Sequence, residues 1–195
     1  MGTGGYRFFR ATWTEINYTR FDISDNAIAK AQIRSPTGRF HKYDDNISSD
    51  IIFCRDVMHH QTEPCAFLET LYYSAKHYLI IRIRTREAGP TIFGPNISCQ
   101  YTYNHYVPYI VFNTGELISL ITSFNPAPTN ISIRRNPTVL CGKVGRYLPK
   151  ELYDPKTSTA ETAILIEKNG GPFGSGTTVI NDDISVERND HYPAV

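Results

Sequence analysis

The chain has 195 residues, 41% of them hydrophobic, with 20 basic against 19 acidic side chains and a net charge of +1. That length and apolar content suit one domain with a real core and exclude wholesale disorder. The balanced charge sets up no global field toward nucleic acid, and no apolar run is long enough to cross a membrane.

Gly2-Thr3-Gly4-Gly5 opens the chain as a tight turn, and Tyr6–Thr14 can follow as a short amphipathic helix. Glycines leading into a helix let backbone N–H groups approach a ligand closely, although a flexible start reads the same way. Tyr18–Ile23 is a predicted strand ending in Asp22, and Ser24 N-caps a helix over Asp25–Arg34 that stops at Pro36. An acid closing a strand about twenty residues after a glycine turn sits where nucleotide folds bind ribose hydroxyls; the alternative is that Asp22 caps the helix instead of Ser24. Gly38–Tyr43 reads as a third strand, with Asp44 and Asp45 at its carboxyl end.

The most informative stretch is Asp50–His60. Its β-branched run Ile51–Phe53 suits a buried strand, the fourth, over Asp50–Arg55. Cys54, Arg55, Asp56, His59 and His60 crowd the strand's end, where open α/β sheets bind ligands. A helix follows from Glu63-Pro64 through Phe67, Leu68, Leu71 and Tyr72, then a fifth strand over Tyr78–Arg84. Alternating strands and helices imply parallel βαβ units, with Arg55 and Arg84 at neighbouring strand ends. Two guanidiniums there can bind a carboxylate or phosphate. Alternatively, Asp56 neutralises Arg55 and Arg84 faces solvent.

Arg86–Pro108 has neither helical nor strand period and reads as a lid, ordered by Tyr101, Tyr103, His105, Tyr106 and Tyr109 around its end. Phe112–Phe124 reads as a helix with Thr114 at its N-cap. Ile131–Arg135 and Thr162–Glu167 are strands separated by an insertion over Pro137–Thr159, and lacking a clear helix between them they should pair antiparallel. A loose polar tail is expected after Lys168. Cys54, Cys65, Cys99 and Cys141 form no Cys-x-x-Cys pair and no zinc-ligand spacing, so no metal is expected. With no secretory leader legible, the expectation is free thiols in a cytoplasmic protein.

Taken together, these stretches resemble a class I S-adenosylmethionine-dependent methyltransferase over roughly Gly2–Lys168. Gly2-Thr3-Gly4-Gly5 resembles the end of the family's first motif, and Phe21-Asp22-Ile23-Ser24 the second, whose acid holds the cofactor ribose. Tyr43-Asp44-Asp45 resembles the third motif, beside the adenine. Asp50–His60 with Gln61–Phe67 resembles the family's strand, Asp-Val-Leu-His-His, proline and helix, with Met58 in place of the leucine.

The resemblance implies a Rossmann-like three-layer α/β sandwich, with a mostly parallel sheet and an antiparallel last strand. It implies a methyltransferase-like domain over residues 1–168 and a polar tail over 169–195. S-adenosylmethionine would be bound by Gly2, Gly4, Asp22, Ile23, Asp44, Asp45, Cys54 and Arg55. Arg84, Tyr106 and Tyr109 would contact a small-molecule acceptor, and His59 or His60 would act as base where the acceptor must lose a proton. No nucleic-acid or membrane partner is expected. The family's first strand would precede Gly2, so a form without it is expected. That absence motivates a second reading, a non-catalytic binding protein on the same scaffold. A nicotinamide dehydrogenase also fits Asp22, but the third glycine of its fingerprint falls at Arg7 and no Tyr-x-x-x-Lys pair follows the fourth strand.

Overall fold

The computed structural model describes residues 17–44, 46–102, 104–138, 145–169 and 176–181. The chain divides into two compact units, Met1–Ile47 and Ser48–Val195.

The first unit contains β1 (Thr19–Asp22), α1 (Asp25–Arg34) and β2 (Arg39–Lys42). β1 and β2 pair in parallel, from Thr19 opposite Arg39 to Asp22 opposite Lys42. α1 begins where the Ser24 hydroxyl accepts from the Ala27 amide at 3.2 Å. Asp25 in its first turn and Arg34 in its last both oppose the helix dipole favourably. The expected strand and helix are therefore present, the strand one residue shorter at each end. The expected helix over Tyr6–Thr14 lies outside the described residues.

The second unit is built on a six-stranded sheet. Its strands are β3 (Ser49–Arg55), β4 (Ala75–Arg86), β7 (Phe112–Asn113), β8 (Asn130–Pro137), β10 (Ala160–Glu167) and β11 (Gly176–Asn181). Five run in the order β11-β8-β10-β4-β3, and β7 pairs with β4. β3 reaches β4 through a 3-10 turn (Met58–His60) and α2 (Pro64–Ser74), the parallel strand–helix–strand unit that an apolar strand followed by a helix with proline at its start produces. α3 (Thr114–Thr122) follows β7.

Alternation along the strands places the core. Leu79, Ile81 and Ile83 of β4, Ile131 and Ile133 of β8, and Ile164 and Ile166 of β10 share one face. Leu68, Leu71 and Tyr72 of α2 and Leu117 and Ile121 of α3 pack on that same face. The opposite face carries Ile51, Phe53, Arg82, Arg84 and Glu161. The two described α-helices of this unit thus lie on one side of the six-stranded sheet.

Several expectations need correction. The sheet is mixed, not mostly parallel: β10 lies antiparallel to both β4 and β8, while β3, β7 and β11 make parallel ladders. One reversed strand in the middle of a sheet reverses two ladders, which strand counting from sequence does not weigh. The lid contains a hairpin, β5 (Cys99–Thr102) and β6 (His105–Pro108), that forms a three-stranded sheet with β9 (Arg146–Tyr147). Asn104 takes a left-handed φ of 66° at the hairpin turn, a conformation asparagine tolerates better than most residues. The third helix is capped by Asn113, whose side chain accepts from the Glu116 amide at 3.0 Å. Thr114 instead donates to Glu87 Oε1 at 2.7 Å. Finally, Gly176–Asn181 is not a loose tail: it pairs in parallel with β8, from Gly176 opposite Asn130 to Asn181 opposite Arg135.

Candidate functional site at the carboxyl ends of β3 and β4

β3 and β4 run in parallel, with Cys54 opposite Ile81 and Arg55 opposite Arg82. Their carboxyl ends therefore emerge side by side. The chain breaks from the ladder at Asp56, which takes a left-handed φ of 56° while its amide still donates to the Arg82 carbonyl at 3.1 Å. That turn carries the Asp56 carboxylate into a group of guanidiniums: Arg55 at 3.2 Å, Arg84 at 3.4 Å and Arg82 at 3.7 Å. Glu161, opposite Arg84 on β10, completes the network, pairing with Arg84 at 2.6 Å and with Arg82.

Arg84 is buried and held between two carboxylates, so it does not face solvent. A substrate anion at Arg84 would compete with Asp56 and Glu161. A depression of about 210 Å³ lies on this face, lined by Arg82, Arg134, Asn136, Glu161 and Ala163. It is smaller than ordinary ligand pockets of about 300–1,000 Å³.

The 3-10 turn after Asp56 presents the two histidines. Its backbone is tied to the segment after β6, where the Ile110 amide donates to the His59 carbonyl at 2.8 Å. His60 Nδ1 lies 2.7 Å from the Pro108 carbonyl. A carbonyl only accepts, so Nδ1 carries the proton and Nε2 of the neutral ring keeps its lone pair. The rings of His59 and His60 are 4.1 Å apart, and Tyr109 stands edge-on to both, at 5.2 and 5.8 Å.

Burial, the neighbouring His60 and the guanidiniums of Arg84 and Arg146 lower the His59 pKa to about 2. Burial also lowers that of His60, opposed by its bond to Pro108 and reinforced by Arg146. Cys54 is buried against the core, and desolvation pushes its thiol up to about 12. It is a packing group with negligible thiolate at neutral pH.

The other predicted site residues are distributed as follows. Asp22 ends β1, and its Oδ1 accepts from the Ser24 amide at 3.0 Å, so it supports the cap while Ser24 supplies it. No described residue hydrogen-bonds its second oxygen. Ile23 is 76% exposed. Asp44 is exposed and accepts from the Asn46 amide at 2.9 Å, an ordinary Asx turn. Gly2, Gly4 and Asp45 lie outside the described residues. Tyr106 is exposed on the lid sheet, its ring 5.0 Å from Tyr101 and 5.8 Å from Tyr147.

Within the second unit the structure therefore brings together Arg55, Arg84, His59, His60 and Tyr109. It adds two residues that sequence reasoning did not single out. Glu161 arrives by strand register, and Arg146 arrives from the insertion, its guanidinium 4.6 Å from the centre of the Tyr109 ring. Neither has a local sequence signal. Among the described residues, no group of three or more His, Cys, Asp or Glu side chains is placed to hold a metal ion.

No family sequence model and no curated protein matches the chain. Solved structures do. The [4+2]-cyclase SpnF aligns with a TM-score of 0.54 at 14% identity, over 87% of this chain and 73% of that one. A 1,6-didemethyltoxoflavin-N1-methyltransferase from Burkholderia thailandensis, with bound 1,6-didemethyltoxoflavin and S-adenosylhomocysteine, aligns at 0.46 and 16% identity, over 87% and 67%. The magnesium protoporphyrin IX methyltransferase of Synechocystis PCC 6803, with S-adenosylmethionine bound, aligns at 0.43 and 16% identity over 76% of this chain; the chain spans only 58% of that enzyme. At 14% identity the likeness to SpnF speaks for the fold alone, and a fold can host several reactions. The chain shares the fold of that cyclase.

Proposed function

We propose that this protein binds S-adenosylmethionine and transfers its methyl group to a small-molecule acceptor. The observation that carries the reading is the carboxyl end of β3: a strand, a left-handed turn at Asp56 and a 3-10 turn that holds the two neutral imidazoles against Tyr109. In the first unit, the Asp22 carboxylate fits the cofactor's ribose, since one oxygen is left without a described protein partner at a strand end.

The cofactor supplies a methyl group already activated by the sulfonium charge. The chain's own duties are positioning, exclusion of water and, where the acceptor must lose a proton, a base. His60 suits that last duty. Its Nδ1 proton is committed to Pro108, so a proton taken from an acceptor goes to Nε2. Its lowered pKa keeps the ring neutral and available at physiological pH. His59, deeper and without a partner at Nδ1, serves to pack and orient.

Calorimetric titration with S-adenosylhomocysteine tests the cofactor half of the reading. Saturable binding is expected, weakened at least about tenfold by Asp22→Ala, roughly the loss of one charge-assisted hydrogen bond. A folded chain that takes up no S-adenosylhomocysteine would overturn the proposal.

A further inference from the structure

The three-stranded sheet β6-β5-β9 has two unlike faces. Tyr101 is opposite Tyr106, and Cys99 is opposite Tyr147, so the three tyrosines share one face, where all are exposed. Gln100 is opposite Arg146, and these two share the other face. There Arg146 Nε donates to Gln100 Oε1 at 3.1 Å. Its guanidinium lies over the Tyr109 ring, which in turn abuts His59 and His60.

Arg146 differs from the other arginines of the site. Arg55, Arg82 and Arg84 each have Asp56 or Glu161 within 3.7 Å. Arg146 is half-buried, and no described carboxylate pairs with it; its acceptor is the neutral amide of Gln100. Among the described residues, its surroundings are the Gln100 amide, the Tyr109 ring and, beyond that ring, two neutral imidazoles.

Two buried polar atoms in the same cluster are also unsatisfied. The Tyr109 hydroxyl, on a residue 0% exposed, and His59 Nδ1, on a residue 3% exposed, make no hydrogen bond with any described residue. Burying such a group without a partner costs the full desolvation of that group. A guanidinium with no described carboxylate partner, stacked over the ring of a tyrosine whose buried hydroxyl has no described partner either, is an arrangement suited to an anionic oxygen.

We propose that the acceptor taken by this site carries an oxyanion, such as a carboxylate, bound through the Arg146 guanidinium with the Tyr109 hydroxyl donating to it, and is methylated at a separate atom whose proton goes to His60. This rests on the methyl-transfer reading and narrows its substrate class. It assigns recognition to the lid sheet and leaves Arg84, already held by two carboxylates, as a structural ion-pair residue.

The test is a titration of the full chain with benzoate, against benzamide as a neutral control of the same shape. It is read from the His60 imidazole signals in NMR spectra of wild type, Arg146→Gln and Arg146→Lys. Benzoate should shift the His60 signals saturably and benzamide should not. Arg146→Gln should weaken benzoate binding at least about tenfold, and Arg146→Lys, which keeps the charge but loses the planar fork, should weaken it less. Unchanged amide dispersion elsewhere checks that both variants are folded. Equal binding of benzoate and benzamide, benzoate binding that survives Arg146→Gln, or no benzoate-dependent shift in the wild type would each overturn the proposal. S-adenosylhomocysteine is titrated into the same samples: cofactor binding without a benzoate response overturns the anion assignment alone, whereas loss of cofactor binding overturns the methyl-transfer reading.

Discussion

At the scale of single residues, the site is governed by how two adjacent histidines divide burial and hydrogen bonding. His60 keeps one nitrogen bonded to Pro108 and the other without a hydrogen-bond partner among the described residues, so it has a task to lose. Its change to alanine should lower kcat by about 10²-fold or more, the ordinary worth of a general base, while leaving S-adenosylhomocysteine affinity within about twofold. Steady-state kinetics beside calorimetry checks this, and equal losses in both would remove His60 from the chemistry. His59 shows itself through stability instead. Its folded pKa of about 2 lies below the ordinary 6.5, so the unfolded chain binds a proton that the folded chain refuses. The stability due to its neutral burial is complete above pH 6.5 and drains away as the pH falls toward 2. The slope is at most about 1.4 kcal/mol per pH unit. Urea unfolding between neutral and mildly acid pH should show that slope in the wild type and a shallower one in His59→Gln.

At the scale of elements, β4 is the member on which the second unit depends. It pairs with β3, β7 and β10 and sends Leu79, Ile81 and Ile83 into the core while presenting Arg82 and Arg84 on the opposite face. Hydrophobic and ionic groups alternate because successive side chains point to opposite sides of a strand. Ile81 is fully buried. Its change to alanine should cost about 2–5 kcal/mol, through lost burial and the cavity left behind. Chemical denaturation measures this; a loss under about 1 kcal/mol would mean that the neighbouring chains collapse into the space. The same period explains the ion network: residues two apart, Arg82 and Arg84, share a face and reach Glu161 across the ladder.

At the scale of the whole chain, ligand binding and stability are linked. S-adenosylhomocysteine at about 100 times its dissociation constant should stabilise the protein by about 2.7 kcal/mol, provided that it binds only the folded form. A thermal unfolding series with and without the ligand reads this directly. The shift should shrink in Asp22→Ala in proportion to the affinity lost in calorimetry.

By itself the sequence determined whatever is set by neighbours within a few residues. Ser24 at the start of an alanine-rich run, with Pro36 after it, marks α1 with the observed ends. Pro64 followed by an apolar stripe marks α2, and β-branched runs mark β3, β4, β8 and β10. The cluster Cys54–His60 was legible as a strand end carrying polar groups, because polar residues directly after an apolar run have nowhere else to go. Only tertiary structure decided what depends on pairing between distant segments. Gly176–Asn181 becomes a strand because β8 offers it a free edge, which no local pattern reports. β5 and β6 are too short and too tyrosine-rich to announce themselves, and they hold because β9 closes their sheet. Register brings Glu161 to Arg84 and Gln100 to Arg146, and the packing of that small sheet lays Arg146 over Tyr109. Local chemistry wrote the elements and named the histidines. Long-range pairing, which costs chain entropy and is repaid only once both partners are in place, chose the charges that surround them.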